Sequence, residues 1–372
     1  MNRNTFHMKN TSDFQVFISI LEEYDGKVWS DDFLEKLLPL NCADYRLHFF
    51  KSKYYRSKND ISKAVDEMLK SLNLYEQIDI HMDGLSPFEN AHTLVINGLI
   101  DNYNVNITGS RLYFYAGELF AEAGMMEDSL KFYKCFHLAN RVKSYHEPTL
   151  YSFRSFNEYS LSDLVNQEIT LVHPSEFNDP FDTLVLPWTK GFDKHCKEKK
   201  HILPYISSFD YFRVRSFVKD MPTNKAYKNV LMWSHYANEH RGFCIKYRIA
   251  KDFIKKTSLS MCFRPIIYTK KGEKKNIDVR TIDTDLAFCT KQSMWKYENE
   301  VRLIAYMPES NSHFSSIPMG DLCKIEAIYF GIRFNDNSIK TIKNILNDAD
   351  IKYYRMHSQP QNIFNLIAKP ER

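Results

Sequence analysis

Apolar residues recur at helical spacing through the first part of the chain and at strand spacing through the rest. From Asp13 to about Tyr145, segments such as FQVFISILEEY and DISKAVDEMLKSLNLY place Leu, Ile, Val or Phe every three or four residues, which is the period of an amphipathic helix. Pro148 ends this pattern, because the residue before a proline disfavours the helical region. The pattern therefore predicts an all-α domain over residues 1–147 and a different domain over residues 148–372.

The second domain alternates short apolar strands with a few helices. Strands are predicted at LYSFRSF, EITLVHPSEF, FRVRSFV, GFCIKYRI, RPIIYTK, EVRLIAYM, AIYFGI and KYYRM, and helices at EYSLSDLVNQ, Ala287–Trp295 and Asp336–Asp348. Asn178-Asp179-Pro180 is a turn signal, and the alternative is that Asn178, Asp179 and Asp182 hold a metal or a ribose. Many short strands with few helices predict an α+β fold with a mixed sheet.

Two parts of the N-terminal domain resemble a degenerate tetratricopeptide-type helical hairpin. Small, aromatic and turn-forming residues fall at the offsets of such a hairpin, first at Gly117, Phe120, Gly124, Ser129 and Tyr133 and more weakly at Ser52, Tyr55, Asn59, Ala64 and Met68. An irregular helix pair is expected between Pro87 and Tyr103. The alternative is a helical bundle without repeat ancestry. In either case we expect a regulatory domain that contacts a protein partner, another copy of the chain or the second domain.

Composition narrows the class of protein. The 372 residues are 44% hydrophobic, which is enough for real cores, and the net charge of +4 is too small to indicate nucleic acid or a membrane as a partner. Seven scattered cysteines and the lack of a signal-like or membrane-spanning apolar run lead us to expect a cytoplasmic protein. No metal site is expected, since His195, Cys196 and His201 lack a second pair of ligands.

Two stretches of the second domain concentrate reactive side chains beside aromatic ones. They are Trp233–Tyr247, which reads WSHYANEHRGFCIKY, and Trp295–Tyr306, which reads WKYENEVRLIAY. Polar groups packed beside aromatic rings are costly unless a pocket uses them. The two stretches therefore predict one shared site.

Within these stretches, His235 is the best candidate for proton transfer, because a histidine has an ordinary pKa of about 6.5. The alternative is a structural histidine that bonds a backbone carbonyl. Glu298 and Glu300 alternate along a predicted strand, so we expect both on one face together with Arg302. Arg302 could act there simply as their ion-pair partner.

Five motifs of the second domain are similar in order and spacing to those of a bacterial family, the domain of unknown function family 2971. The resemblance spans about residues 150–366, and its motifs are LYSFRSF, PSEFNDPFD, LMWSHYANEHRGFCIKY, WKYENEVRLI and IYFGIRF. This family has no established reaction. The resemblance therefore implies the domain and leaves its function open.

In outline, the order of these motifs also resembles ADP-ribosyltransferases, which bind NAD in a split sheet. That resemblance implies an Arg on the first strand, a Ser or Tyr in the middle and a Glu-x-Glu before a later strand. The matching residues are Arg154, Ser216 or the cluster Ser234, His235 and Tyr236, and Glu298 with Glu300. The departures are the missing Ser-Thr-Ser strand and the histidine in the middle motif.

The chemistry of these residue types agrees with the resemblance. Arg154 would hold a pyrophosphate or ribose, and Glu300 would stabilise the oxocarbenium ion that forms as nicotinamide leaves. Glu298 would deprotonate the acceptor. Tyr236 or Trp233 would stack on nicotinamide, although the commoner use of such rings is in a core or pocket wall.

Three functions remain open. The first is an NAD- or nucleotide-using effector enzyme, by ADP-ribosyl transfer or NAD glycohydrolysis, in the manner of a bacterial toxin or antiphage effector regulated by its helical domain. The second is a nuclease that uses Mg²⁺ with Asp179, Asp182, His235 and Glu300. The third is a binding protein without catalysis.

Overall fold

The computed structural model describes residues 11–24, 29–79, 109–139, 145–179, 182–183, 203–251, 260–269, 287–320, 322–348 and 350–371. These residues form two compact units: the described residues up to 139 together with 203–210, and the described residues from 145 to 183 and from 211 onward. The irregular helix pair between Pro87 and Tyr103 and the candidate zinc ligands His195, Cys196 and His201 lie outside the described residues. Among the described helices, none has the length and apolarity needed to cross a membrane.

Helices come first along the chain and strands dominate the second unit, as the apolar pattern predicted. The helices are α1 (Thr11–Tyr24), α2 (Asp31–Leu37), α3 (Tyr45–Ser57), α4 (Ile61–Asp79), α5 (Gly109–Glu122), α6 (Met126–Ala139), α7 (Glu158–Asn166), α8 (Leu203–Ser207), α9 (Val230–Tyr236) and α10 (Asp336–Leu346). The strands are β1 (Thr149–Arg154), β2 (Glu168–Val172), β3 (Phe212–Val218), β4 (Phe243–Ile249), β5 (Ser260–Pro265), β6 (Ile267–Thr269), β7 (Thr290–Gln292), β8 (Glu300–Tyr306), β9 (Phe314–Pro318), β10 (Cys323–Phe330), β11 (Lys352–Gln359) and β12 (Asn362–Pro370).

The prediction of a helix over Ala287–Trp295 is wrong. Thr290–Gln292 pair with β6 as strand β7, and Ser293–Glu298 form a 3₁₀-helix. Pairing with a distant strand outweighs the weak local preference for a helix. The other helix of this region, predicted at Asp336–Asp348, is confirmed as α10.

Both predicted hairpins of the first unit bring their helices into close contact. In the α5–α6 hairpin, a Cβ atom on Gly117 would lie 2.7 Å from the ring of Tyr133, and Ser129 Oγ donates to the carbonyl of Gly117 at 2.6 Å. In the α3–α4 hairpin, Ser52 Oγ donates to the carbonyl of Ala64 at 2.7 Å. The small residues thus allow the close approach that the spacing implied, and the repeat ancestry stays a prediction.

The second unit contains a mixed, mainly antiparallel sheet. Among the described residues it has ten strands, in the order β12-β11-β10-β4-β1-β3-β2-β9, with β8 pairing β3 and β5. Strands β6 and β7 form a separate parallel pair. This arrangement confirms the predicted α+β fold with a mixed sheet.

One edge of strand β3 is shared by two neighbours, β1 near the C-terminal end of β3 and β2 nearer its N-terminal end. Along its other edge it pairs with β8 from Phe212↔Tyr306 to Val218↔Glu300. On the edge that β1 and β2 share, the described pairs are Tyr151↔Val218 with β1 and Val172↔Val214 with β2. Strands β1 and β2 therefore separate beside the middle of β3 and leave a gap in the sheet.

Each face of the sheet has its own apolar core near this gap. On one face, Phe217 and Leu303 pack with Leu164 of α7 and Ile342 of α10. On the other face, Tyr151, Phe153 and Val218 pack with Met232 and Trp233 of α9. Alternation of side chains along β1 and β3 supplies both cores. The gap is therefore bounded by packed helices on both sides.

Candidate functional site

A cavity of about 450 Å³ lies at the gap between β1, β2 and β3. Its lining comes from β1, from β3, from the segment around Phe177, from α9 and from Lys291, Glu298 and Glu300. Six of the residues predicted for the site line this cavity: Arg154, Ser216, His235, Tyr236, Glu298 and Glu300. The two stretches that the sequence analysis singled out therefore meet at one cavity.

A network of buried charges is organised around Lys291 at this cavity. Lys291 Nζ lies 2.6 Å from Glu298 Oε2, 3.2 Å from Glu300 Oε2 and 3.2 Å from Asp182 Oδ2. Arg302 Nε lies 2.6 Å from Glu300 Oε1, and its Nη2 bonds Asp182 Oδ1. None of the five side chains is more than 6% exposed. Charges this deeply buried are tolerated because each has a partner of opposite sign.

Glu298 holds the more readily protonated carboxylate of the network. Its Oε1 accepts a 2.5 Å hydrogen bond from the hydroxyl of Tyr236, and its Oε2 bonds Lys291. Burial raises the pKa of Glu298, and the attraction of Lys291 opposes this increase without cancelling it. A carboxyl group with a raised pKa is suited to exchange protons near neutral pH.

Glu300 is held in the opposite state. Burial by itself would raise its pKa, but Arg302 and Lys291 outweigh burial and lower the pKa to about 2, and the hydroxyl of Ser216 adds a hydrogen bond. Glu300 therefore stays ionised. Two carboxylates that share one lysine and have pKa values displaced in opposite directions are a typical arrangement of a proton donor or acceptor beside a fixed charge.

The charge balance of the network explains why the pKa of Glu298 is raised. Three carboxylates, those of Asp182, Glu298 and Glu300, face two cations, Lys291 and Arg302. With every group ionised, the network carries one excess negative charge in a buried place, which is unfavourable. A proton on Glu298 would neutralise it. The network can therefore take up or release one proton at the carboxylate that bonds Tyr236.

The expectation that Glu298 and Glu300 alternate along one strand is wrong. Glu298 ends the 3₁₀-helix, Asn299 is left-handed with φ 45°, and Glu300 begins β8. Asn299 is fixed there by Nδ2 hydrogen bonds to the carbonyls of Lys219 and Asp220. The two carboxylates nevertheless converge, because both bond Lys291. Arg302 pairs with Glu300, which was the structural alternative for that residue.

Helix α9 carries the Ser-His-Tyr cluster, which the resemblance placed in the middle of the motif order. Asn229 caps it, since its Oδ1 accepts from the backbone N of Leu231 at 3.1 Å. The Nδ2 of the same residue donates to the carbonyl of Tyr297 at 2.7 Å. One side chain thus fixes α9 against the 3₁₀-helix that holds Glu298.

The helical geometry decides which residues of α9 reach the cavity. Met232, His235 and Tyr236 line it, and their spacing of three and four residues is that of one helix face. Trp233 lies instead in the core, wholly buried, with its Nε1 donating to the carbonyl of Tyr227 at 2.7 Å. Ser234 donates to the carbonyl of Val230. Neither Trp233 nor Ser234 belongs to the cavity lining that the described residues form.

A left-handed turn follows α9 and sets its position. Asn238, Glu239 and His240 have φ values of 44°, 54° and 67°, a conformation that costs an L-residue roughly 1–2 kcal/mol. The carbonyl of His240 accepts from Arg333 N at 3.1 Å. This hydrogen bond from Arg333, which follows β10, therefore helps to hold the turn in its strained conformation. Such conformations persist only where the surrounding structure holds them.

A substitution at Gly331 would measure how much the close packing of this turn contributes to stability. A Cβ atom there would lie 2.2 Å from the carbonyl oxygen of His240, which is a backbone atom. We expect Gly331→Ala to lower the free energy of unfolding by about 2–3 kcal/mol, because the backbone must move. At Gly320 a Cβ atom would meet nothing within 4 Å, so Gly320→Ala should change stability by less than about 0.5 kcal/mol. Urea unfolding measures both, and equal effects would contradict this reading.

The sequence analysis did not predict the full charge network. It did not single out Lys291, and it left open whether Asp182 has a structural or a binding role. Lys291 lies in the segment predicted to be helical, where nothing marked it. Asp182 belongs to the NDPFD motif, and its backbone N donates to the carbonyl of Asp179 at 3.0 Å, as expected for a turn. Its carboxylate also bonds Arg302 and Lys291. The motif therefore combines the turn with a role in the buried network.

The low pKa of Glu300 predicts a loss of stability in acid. A carboxyl group whose pKa falls from 4.5 to about 2 on folding stabilises the fold above pH 4.5 and loses that contribution as the pH falls toward 2. The loss should amount to about 3 kcal/mol. Glu298, whose pKa is raised, has the opposite sign, and its contribution changes only above pH 4.5, outside this window. The unfolding free energy of Glu300→Gln should fall less steeply between pH 4.5 and 2, and parallel curves would contradict the assignment.

The donor set of the cavity does not form a ready metal site. Among the described residues, no group of three or more His, Cys, Asp or Glu side chains could hold a metal ion. Asp182 and Glu300, two of the carboxylates that the nuclease hypothesis requires, already bond Arg302.

Comparison with known proteins matches one segment of the second unit. No curated protein and no solved structure matches the chain. The family model described as Protein of unknown function (DUF2971) matches residues 232–303, which run from α9 to β8 and include His235, Tyr236, Lys291, Glu298 and Glu300. The family that the motifs indicated is thus matched over residues 232–303 of the C-terminal part.

Proposed function

We propose that the second unit is an enzyme that binds NAD in the cavity at the sheet gap and cleaves the bond between nicotinamide and ribose. ADP-ribose would pass to an acceptor nucleophile or to water. The observation that carries this proposal is the pair of buried carboxylates, Glu298 and Glu300, whose pKa values are displaced in opposite directions beside one lysine.

The two carboxylates would have separate parts in the reaction. As the C1′–N bond breaks, its electron pair stays on nicotinamide and positive charge develops on the ribose ring. With Glu298 ionised, the Lys291 network carries one excess negative charge, which stabilises that positive charge. A hydroxyl group or water then adds to C1′, and its proton passes to Glu298, whose raised pKa makes it the better base.

Three other residues that line the cavity suit this reaction. Ser216 is exposed and bonds Glu300, so Glu300 would orient its hydroxyl toward a ribose. Tyr236 bonds Glu298 and would hold that carboxylate in place. His235 is exposed at the cavity and would contact nicotinamide or the acceptor.

The biological setting belongs to the same proposal. Consumption of cellular NAD would suit a toxin or antiphage effector of the cytoplasm, and the helical unit would then sense a partner. A nuclease using Mg²⁺ is less well supported, because Arg302 already pairs with two of its candidate ligands.

The test is NAD consumption by the purified full chain, with and without cell lysate. Release of nicotinamide, together with free ADP-ribose or an ADP-ribose adduct on a lysate protein by mass spectrometry, is the expected result. If NAD stays intact in every condition while DNA or RNA is cut in the presence of Mg²⁺, the nuclease alternative replaces this proposal. If neither substrate changes, a binding function replaces both.

A further inference from the structure

Lys291 reaches the charge network from outside the main sheet. It lies on β7, a strand of three residues that pairs, among the described residues, with β6 alone. Its ammonium group nevertheless lies 2.6 Å from Glu298 Oε2 and 3.2 Å from Glu300 Oε2. The two carboxylates of the proposed reaction are therefore joined by a side chain that neither of their own elements supplies.

Several contacts fix the position of the Lys291 ammonium group. Besides Glu298 and Glu300, it contacts a third carboxylate, that of Asp182, at 3.2 Å. The centroid of the Trp295 ring lies 5.0 Å from Nζ, a distance at which an ammonium group is attracted to the face of an aromatic ring. The side chain of Lys291 is only 5% exposed. The positive charge of Lys291 is therefore held at one place in the network.

Lys291 is the one cation that pairs with Glu298 among the described residues. Arg302, the other cation of the network, bonds Glu300 and Asp182 instead. Glu298 thus depends on Lys291 for its opposite charge, whereas Glu300 has a second partner. The ionisable groups that interact with Glu298 are Tyr236 of α9, Tyr268 of β6, Lys291 of β7, Tyr297 of the 3₁₀-helix and Glu300 of β8.

We propose that Lys291 is a positioning residue of the reaction, which holds Glu298 and Glu300 together at the cavity and favours the ionised form of Glu298 that accepts the proton. The inference rests on the proposed function for the identity of the reaction, and on the contacts of Lys291 for the effect on Glu298. Lys291 acts through the two carboxylates. It therefore affects turnover and leaves the binding of NAD nearly unchanged.

The electrostatics agree with this geometry. Burial raises the pKa of Glu298, and the attraction of Lys291 opposes that increase. An opposite charge at this distance lowers a carboxyl pKa by about 1–3 units, so the loss of Lys291 should raise the pKa of Glu298 by about that amount. At neutral pH the Glu298 carboxyl group would then already hold the proton that it has to accept.

The test measures nicotinamide release by the full chain as a function of pH. In Lys291→Met, the pH step of kcat should move upward by about 1–3 units, and kcat at neutral pH should fall about 10-fold or more. The KM for NAD should stay within about twofold of wild type. Lys291→Arg restores the positive charge and should return the step toward that of wild type. Lys296→Gln, at an exposed lysine of the 3₁₀-helix, is the matched control and should behave as wild type does.

A second variant separates this role of Lys291 from a role in folding. Lys291→Met by itself leaves three carboxylates with one cation. If that variant does not fold, Lys291→Met combined with Asp182→Asn keeps the wild-type excess of one negative charge, and its pH step should still lie above that of wild type. A purely structural role would not move the step. An unchanged pH step in a folded variant without Lys291 therefore overturns the inference.

Titration of the Glu298 carboxyl group by nuclear magnetic resonance, with Glu298→Gln to assign its signal, separates this inference from the proposed function because it needs no NAD. If NAD stays intact while Lys291→Met raises the pKa of Glu298, the proposed reaction alone is wrong and the control of Glu298 by Lys291 stands. If NAD is cleaved and the pKa of Glu298 is the same with and without Lys291, the inference alone is wrong.

Discussion

Glu298→Gln should lower the rate of NAD cleavage by about 10²–10⁴-fold, the usual effect of removing a general base. Gln keeps the size of the side chain but accepts no proton. The fold should survive, because the Lys291 network then holds two carboxylates and two cations and is balanced. Nicotinamide release under saturating NAD measures the effect, and circular dichroism checks the fold.

The pH dependence of the rate distinguishes proton transfer from a structural role. In wild type, the rate should rise with pH through the raised pKa of Glu298, because the ionised form is the base. This step should be absent in the Glu298→Gln variant. Glu309→Gln, at an exposed glutamate of the same unit, should keep both the rate and the step. A folded Glu298→Gln variant with wild-type turnover would falsify the assignment.

Arg302→Met should lower the free energy of unfolding by about 3–5 kcal/mol, the cost of breaking a buried ion pair from one side. Arg302 bonds Glu300 and Asp182 and is completely buried. Without it, three carboxylates would face one lysine. Urea denaturation of the purified chain measures the change.

Two further variants show whether the loss comes from unpaired charge. Arg248→Met removes an exposed arginine that pairs with Glu326, and such surface pairs contribute at most about 1 kcal/mol. Adding Glu300→Gln to Arg302→Met should recover part of the stability, since one unpaired carboxylate is then neutral. A loss below about 1 kcal/mol for Arg302→Met alone would mean that the network does not hold the fold together.

Local spacing of apolar residues was enough to predict the two kinds of architecture. Helices α1 to α6 of the first unit, and β1, α7, β3, β4 and β8 of the second, lie where periodicity placed them, whereas α8 was not predicted. The helix predicted over Ala287–Trp295 failed because β7 pairs with β6, a partner that lies more than twenty residues earlier. Strands β9 and β12 were also missed. Pairing partners distant along the chain are not contained in local periodicity.

At the candidate site, too, the residue types could be predicted from the sequence, whereas the directions of the side chains depend on the fold. Residue type and motif order were enough to single out Arg154, Ser216, His235, Tyr236 and Glu298 with Glu300, and all of them line one cavity. For Trp233 the sequence left open a role in stacking on the ligand and a role in the core, and the structure shows the core, because the direction of the side chain depends on where α9 begins. A helix beginning at Val230 sends residues 232, 235 and 236 to one face and Trp233 into the core.

The order of the two architectures, the family that residues 232–303 match and most of the reactive side chains at the site follow from residue types and their spacing along the chain. The gap beside β3, the role of Lys291 as the shared partner of three carboxylates and the opposite pKa shifts of Glu298 and Glu300 depend on contacts that only the folded chain makes. Residue type fixes what charge a side chain can carry. Whether that charge is buried, paired or left in excess depends on contacts between segments far apart in the chain, and those contacts set the pKa values on which the proposed reaction depends.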